Sequence, residues 1–101
     1  MNTTARAHIM TLMRHHILDL LHRRFPQAYS RPALLAELRP LFPTENQTWL
    51  NDAASEQVQI LKYSGLVRPA AGGVTLTERG RADRQQAQRF LNKHGDSPEA
   101  S

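Results

Sequence analysis

Three histidines at seven-residue spacing, His8, His15 and His22, with Asp19 between the last two, are the first residues whose types and positions suggest chemistry. On a straight helix all four fall within about 60° of one another, and imidazole with carboxylate is a ligand set for zinc or nickel. One helix face rarely closes a metal site. The row is therefore read as a polar helix face or as a heptad seam between two first helices, and no metal or other cofactor is assigned.

A second group points to nucleic acid. Asn46, Gln47, Thr48, Asn51, Ser55, Gln59 and Lys62 lie along one helix-like stretch, and asparagine and glutamine can pair with adenine edges. Arg31, Arg68 and Arg79 are the candidate phosphate clamps. Arg31 stands at a helix start, where free N–H groups and the helix dipole already favour an anion. Opposing this, the same stretch carries Glu45, Asp52 and Glu56 against Lys62, and the segment 70–73 has no charge. Most cations sit elsewhere: Arg6, Arg14, Arg23, Arg24, Arg31 and Arg39 early in the chain, and Arg79, Arg81, Arg84, Arg89 and Lys93 late in it. A net charge of +4 suits a polyanionic partner.

Catalysis finds no support. There is no glycine-rich phosphate loop, nucleophile elbow or paired-carboxylate arrangement. With no cysteine in 101 residues, disulfides, thiolate metal sites and cysteine nucleophiles are excluded. That composition fits a cytoplasmic protein. No stretch has the length of a membrane span, and charged and histidine residues break the N-terminal apolar run.

The elements that must position these residues follow from periodicity and caps. Ile9, Met13, Ile17, Leu20 and Leu21 recur at helical spacing, which predicts a helix over 4–24 that Pro26 terminates. Leu12 and Leu18 fall outside that stripe. Ser30 caps a short second helix with Pro32 in its first turn, Leu34, Leu35 and Leu38 inward, and Pro40 as its stop. Leu41 and Phe42 then plug the core. TENQ at 44–47 matches a capping box, predicting a third helix over 44–64 with Trp49, Leu50, Ala53, Ala54, Val58 and Leu61 inward; Asn51 offers a later start. Gly65 supplies a left-handed C-cap. Strands over 66–69 and 74–77 flank the glycines of a tight hairpin. Thr77 caps a last helix to about residue 93, with Ala82, Ala87, Phe90 and Leu91 as its apolar side. One domain over 4–93 and a disordered polar tail over 94–101 complete the reading.

The stretches VQILKYSGLV (58–67) and VTLTERGR (74–81) carry a resemblance. A helix ending in Gly-Leu-Val, a short hairpin, and a Leu-Thr-x-x-Gly junction into a closing helix resemble the winged helix-turn-helix family of DNA-binding domains. The chain also looks somewhat like small winged-helix proteins of Mu-like prophages. The resemblance implies a mainly α fold with a small β-hairpin: three helices, a wing, and a C-terminal helix. It further implies double-stranded DNA as partner and a role as a small bacterial or phage transcriptional regulator. From the residues themselves, Leu12 and Leu18 on the first helix and Phe90 and Leu91 near the end of the last predict a homodimer pairing first and last helices, which would bury them. The acidic third helix and uncharged wing tip suggest an alternative, a winged helix used for protein–protein interaction without direct DNA contact.

Overall fold

The computed structural model describes residues 3–94, with side chains described over 6–86. Four helices and one antiparallel hairpin follow in the order α1 (Thr3–Arg24), α2 (Arg31–Leu38), a 3-10 turn (Arg39–Leu41), α3 (Gln47–Tyr63), β1 (Val67–Ala70), β2 (Gly73–Leu76) and α4 (Glu78–His94). This is a winged-helix-type topology. No helix among the described residues is long and apolar enough to cross a membrane.

The first two helices form as their sequences require. Met13, Ile17, Leu20 and Leu21 of α1 are buried, while Ile9 packs at the edge of the same core. Ser30, in extended conformation, accepts a hydrogen bond from the Ala33 N–H, and α2 turns Leu34, Leu35 and Leu38 inward. Two expectations fail here. Leu18 is buried with the main stripe rather than outside it, and Leu41 is exposed while its neighbour Phe42 does plug the core.

The third helix starts two residues later than the capping box predicts, with its cap at Asn46 rather than Thr44. Phe42 and Glu45 close successive turns onto the carbonyls of Arg39 and Phe42, at 3.1 and 3.2 Å. Those turns hold the stretch that Thr44 would have capped. Asn46 is the N-cap instead: extended, with Oδ1 accepting from the Trp49 N–H at 3.1 Å. Gln47 does not reach back to Thr44. In the amide orientation that satisfies both partners, its oxygen accepts from Arg39 Nε at 2.9 Å. Asn51 starts nothing; it lies within the helix. The buried face is Leu50, Ala53, Ala54, Leu61 and a glutamine, Gln57, while Trp49 and Val58 are half-buried at its margins.

Gly65 ends α3 as expected, at φ 78°. Its N–H bonds to the Lys62 carbonyl and the Leu66 N–H to that of Leu61, both at 3.0 Å, which is the Schellman pattern. That second bond takes the Leu66 N–H out of the hairpin, so β1 begins at Val67. Register pairs Val67 with Leu76 and Pro69 with Val74. Ala71 and Gly72 form the two-residue turn. Gly72 has φ 87° while Ala71 stays at negative φ, so positive φ at the second position alone marks a type II geometry rather than the mirror-image turns usual in hairpins.

The hairpin is not a bare ribbon. Tyr29, between α1 and α2, pairs with Val74 through reciprocal hydrogen bonds of 2.8 and 3.0 Å. It acts as a one-residue third strand and makes β2 central. Pro69 is tolerated because β1 is then an edge strand, and Val74 already directs its N–H and C=O toward Tyr29. Gly73 permits this approach, since a Cβ there would overlap the Tyr29 carbonyl oxygen. Val67 and Leu76 are buried against the helices, a gain of about 1.5–3 kcal/mol each. That gain holds in place a hairpin that would be marginal on its own.

The junction into α4 is equally specific. Thr77 donates its hydroxyl to the Gly65 carbonyl at 2.6 Å and accepts from the Gly80 N–H at 3.0 Å. Its own N–H bonds to the Leu66 carbonyl. Gly80 lies so close to that carbonyl that a Cβ would overlap the oxygen. The Leu-Thr-x-x-Gly run therefore knits the end of α3, the base of the wing and the start of α4. Ala82, expected inward, is exposed; the inward residues of α4 among those described are Gly80 and Arg84. Ala87, Phe90 and Leu91 have side chains outside the described set, and residues 95–101 of the expected tail lie outside it too.

Candidate nucleic-acid interface

A groove of about 210 Å³ opens where the N-terminus of α2, the middle of α3 and the hairpin meet. Its floor is apolar, from Leu34, Leu35, Ala54, Val58 and Val74, with Tyr29 at the back. Arg31, Ser55, Gln59 and Lys62 line it as well, so four of the ten residues singled out from the sequence share one concavity. Arg31 is held there by the Ser30 cap and the Pro32 turn. Ser55, Gln59 and Lys62 recur at four- and three-residue spacing, which puts them on one strip of α3.

The outward face of α3 continues that strip. Thr48, Asp52, Glu56, Gln59 and Tyr63 are exposed along it, and at 90% exposure Tyr63 is nearly free of the fold. The face thus presents hydrogen-bonding side chains and one aromatic ring, together with the carboxylates of Asp52 and Glu56. Asn46 and Gln47 are at the far end of α3, about 23 Å from Lys62 on a 1.5 Å rise per residue. Both have structural employment, Asn46 as the cap and Gln47 against Arg39. Asn51 is half-buried, and its Oδ1 is buried without a hydrogen-bond partner.

The other two candidate clamp residues lie apart from Arg31. Arg68 is exposed on β1, its Nη1 3.5 Å from the Pro69 carbonyl. Arg79 is exposed at the start of α4, with Nη1 beside Gly65, and borders a separate polar depression with Asp83 and Gln86.

Many of the cations on α1 and α4 are engaged with protein. Arg84 is 2% exposed and places Nε 3.4 Å from an Asp19 carboxylate oxygen, as an ion pair without hydrogen-bond alignment. Its Nη1 donates to the His15 carbonyl at 3.4 Å and meets His15 Nδ1 at 3.5 Å. Arginine has only donors, so that imidazole nitrogen is the acceptor. Arg14 donates to the buried Gln57 at 2.8 Å. Arg6, Arg24 and Arg81 stack on Trp49, Tyr29 and Phe25 at 4.3–4.4 Å from the ring centroids, an attraction of about 0.5–1 kcal/mol at exposed sites.

This arrangement redirects the histidine row. Asp19 turns to Arg84 rather than to a shared ion with His15 and His22, and among the described residues no group of three or more His, Asp and Glu is gathered for a metal.

Sequence reasoning missed Tyr29 and Gln57, and it counted Arg84 among the surface cations although it is buried. Tyr29 is isolated between two helices, and Gln57 and Arg84 are polar residues at inward helix positions. A tyrosine just before a cap and a glutamine within a helix's apolar spacing were the available signals. No protein-family model, curated protein or solved structure matches the chain.

Proposed function

We propose that the chain is a winged-helix DNA-binding protein, a small transcriptional regulator of bacterial or phage origin comparable to the winged-helix proteins of Mu-like prophages. One observation carries the reading: Arg31 and Lys62 flank the exposed polar strip of α3 at the groove beside the wing. In this reading α3 enters the major groove and Ser55, Gln59 and Thr48 meet base edges. Arg31, Lys62 and Arg68 meet phosphates, with Arg79 at the periphery. Few cations serve so small a face, so one module gives weak binding and a second copy supplies the rest of the site.

The homodimer is proposed through α1 and α4. Leu12, exposed on α1, supports it; Leu18 does not, being buried. Sedimentation of the intact chain against one ending at Gln88 tests the dimer, and a monomer at high micromolar concentration removes it. For the main reading, fluorescence anisotropy on random duplex DNA is the test. Binding at low ionic strength that weakens steeply with added salt is expected; no binding at low salt defeats it.

The acidic pair favours a second reading. Asp52 and Glu56 are exposed on the very face that would approach phosphate, which suits a basic protein partner. Charge reversal separates the two. If D52K/E56K strengthens DNA binding and leaves captured host proteins unchanged, the interaction-module reading loses its support.

A further inference from the structure

The geometry points to the groove between α2, α3 and the wing as a site for a small amphipathic carboxylate, one aromatic ring or a branched aliphatic body bearing a single anionic group, whose capture competes with DNA. Leu34, Leu35, Ala54, Val58 and Val74 make a greasy floor, and an apolar surface left open beside water favours an apolar guest. At about 210 Å³ the groove is smaller than the sites that hold drug-sized molecules. It exceeds the roughly 150 Å³ that admits benzene in an engineered cavity. A ring plus a carboxylate fits that space.

Charge selects the polar end. Arg31 and Lys62 border the groove from α2 and α3, and among the described residues no carboxylate lines it. A neutral guest would leave both cations without a counter-charge, whereas a monoanion places its carboxylate between them as a charge-assisted hydrogen-bond acceptor. Ser55 and Gln59 add donors along the α3 wall. Arg31, Ser55, Gln59 and Lys62 are also the residues read as facing DNA. An occupant would take the cations from phosphate and add its own negative charge to that face. Ligand capture needs nothing from the nucleic-acid reading; competition with DNA rests on it.

Titration of the intact, isotope-labelled chain with benzoate, benzyl alcohol and acetate at matched ionic strength is the test, read by backbone amide NMR. Benzoate is expected to shift the signals of Ser55, Val58, Gln59 and Val74 saturably, with a Kd on the order of 0.1–1 mM for so few atoms. Benzyl alcohol, lacking the charge, and acetate, lacking the body, should bind about tenfold or more weakly. The R31Q/K62M double variant should bring benzoate down to the level of benzyl alcohol. Val58→Trp, which fills the floor, should abolish both. Benzoate that fails to saturate below about 10 mM, shifts a different surface, or binds no better than benzyl alcohol overturns the site. Duplex DNA is then added. If benzoate binds and no duplex does at any salt, the site stands and the nucleic-acid reading falls. If duplex binds and benzoate does not, the reverse holds. If both bind and saturating benzoate leaves duplex affinity unchanged, the competition is overturned.

Discussion

Two regions of this molecule use the same residue type in opposite ways. In the seam between α1 and α4, Arg84 is buried against Asp19 and the His15 carbonyl. At the groove beside the wing, Arg31 is exposed, carried on a helix start whose cap is already supplied by Ser30. A guanidinium withdrawn from water needs partners that offset the loss of hydration, and once it has them it is no longer offered to a ligand. An exposed one keeps its donors for whatever anion arrives. The lesson is that a basic composition does not locate a basic surface. Of the cations on α1 and in the described part of α4, Arg6, Arg14, Arg24, Arg81 and Arg84 all contact protein aromatics or acceptors. The groove has fewer cations, and they are the freer ones.

That contrast can be broken, beginning where the effect is largest. Gly80→Ala should cost about 3 kcal/mol or more, because a Cβ overlapping the Leu66 carbonyl must push α4 off the base of the wing. Urea unfolding measures it, and a loss under about 1 kcal/mol would show that the junction yields easily. Arg84→Met should destabilise by about 1–3 kcal/mol. The range sits below that for a fully buried pair because the Asp19 side chain is 34% exposed. Its DNA affinity should be unchanged at temperatures where the variant is folded; a selective loss of DNA binding would place the seam on the functional surface.

The groove predicts the opposite signature. Arg31→Ala with Lys62→Ala should leave stability within about 0.5 kcal/mol, yet reduce the slope of log affinity against log salt by about 2. A fall in unfolding free energy as large as that of Arg84→Met would erase the distinction between the regions. Along α3 the smallest expected effect on DNA is at Asn46, whose replacement by alanine should cost about 1 kcal/mol of folding stability as a lost N-cap. Its effect on DNA should be no larger than its effect on folding. A greater loss of binding would move the base-reading surface toward the N-terminus of α3.

Much of the architecture was legible because its causes are local. Ser30 with Pro32, Gly65, and Thr77 announce helix boundaries through chemistry confined to three or four residues, and the apolar stripe of α1 is a matter of spacing along one helix. Local signals also misled where two were compatible with the sequence. TENQ satisfies the capping-box pattern, yet turns closing onto Arg39 and Phe42 occupy that stretch, and Asn46 takes over as cap. The groove was half legible: Ser55, Gln59 and Lys62 share a helix strip by periodicity, but only packing brings Arg31 from α2 and Val74 from the wing beside them.

What the sequence by itself determined, then, is the order and type of the elements, most of their boundaries, and the glycines at the end of α3 and at the hairpin turn, because φ preferences, caps and helical periodicity act between near neighbours. Only the tertiary structure decided that Tyr29 would complete the wing's sheet, that Gln57 and Arg84 would be buried, and that Asp19 would face an arginine sixty-five positions away. Those outcomes depend on which polar groups find partners when distant segments pack, and a buried polar side chain is stable only where that partner is supplied.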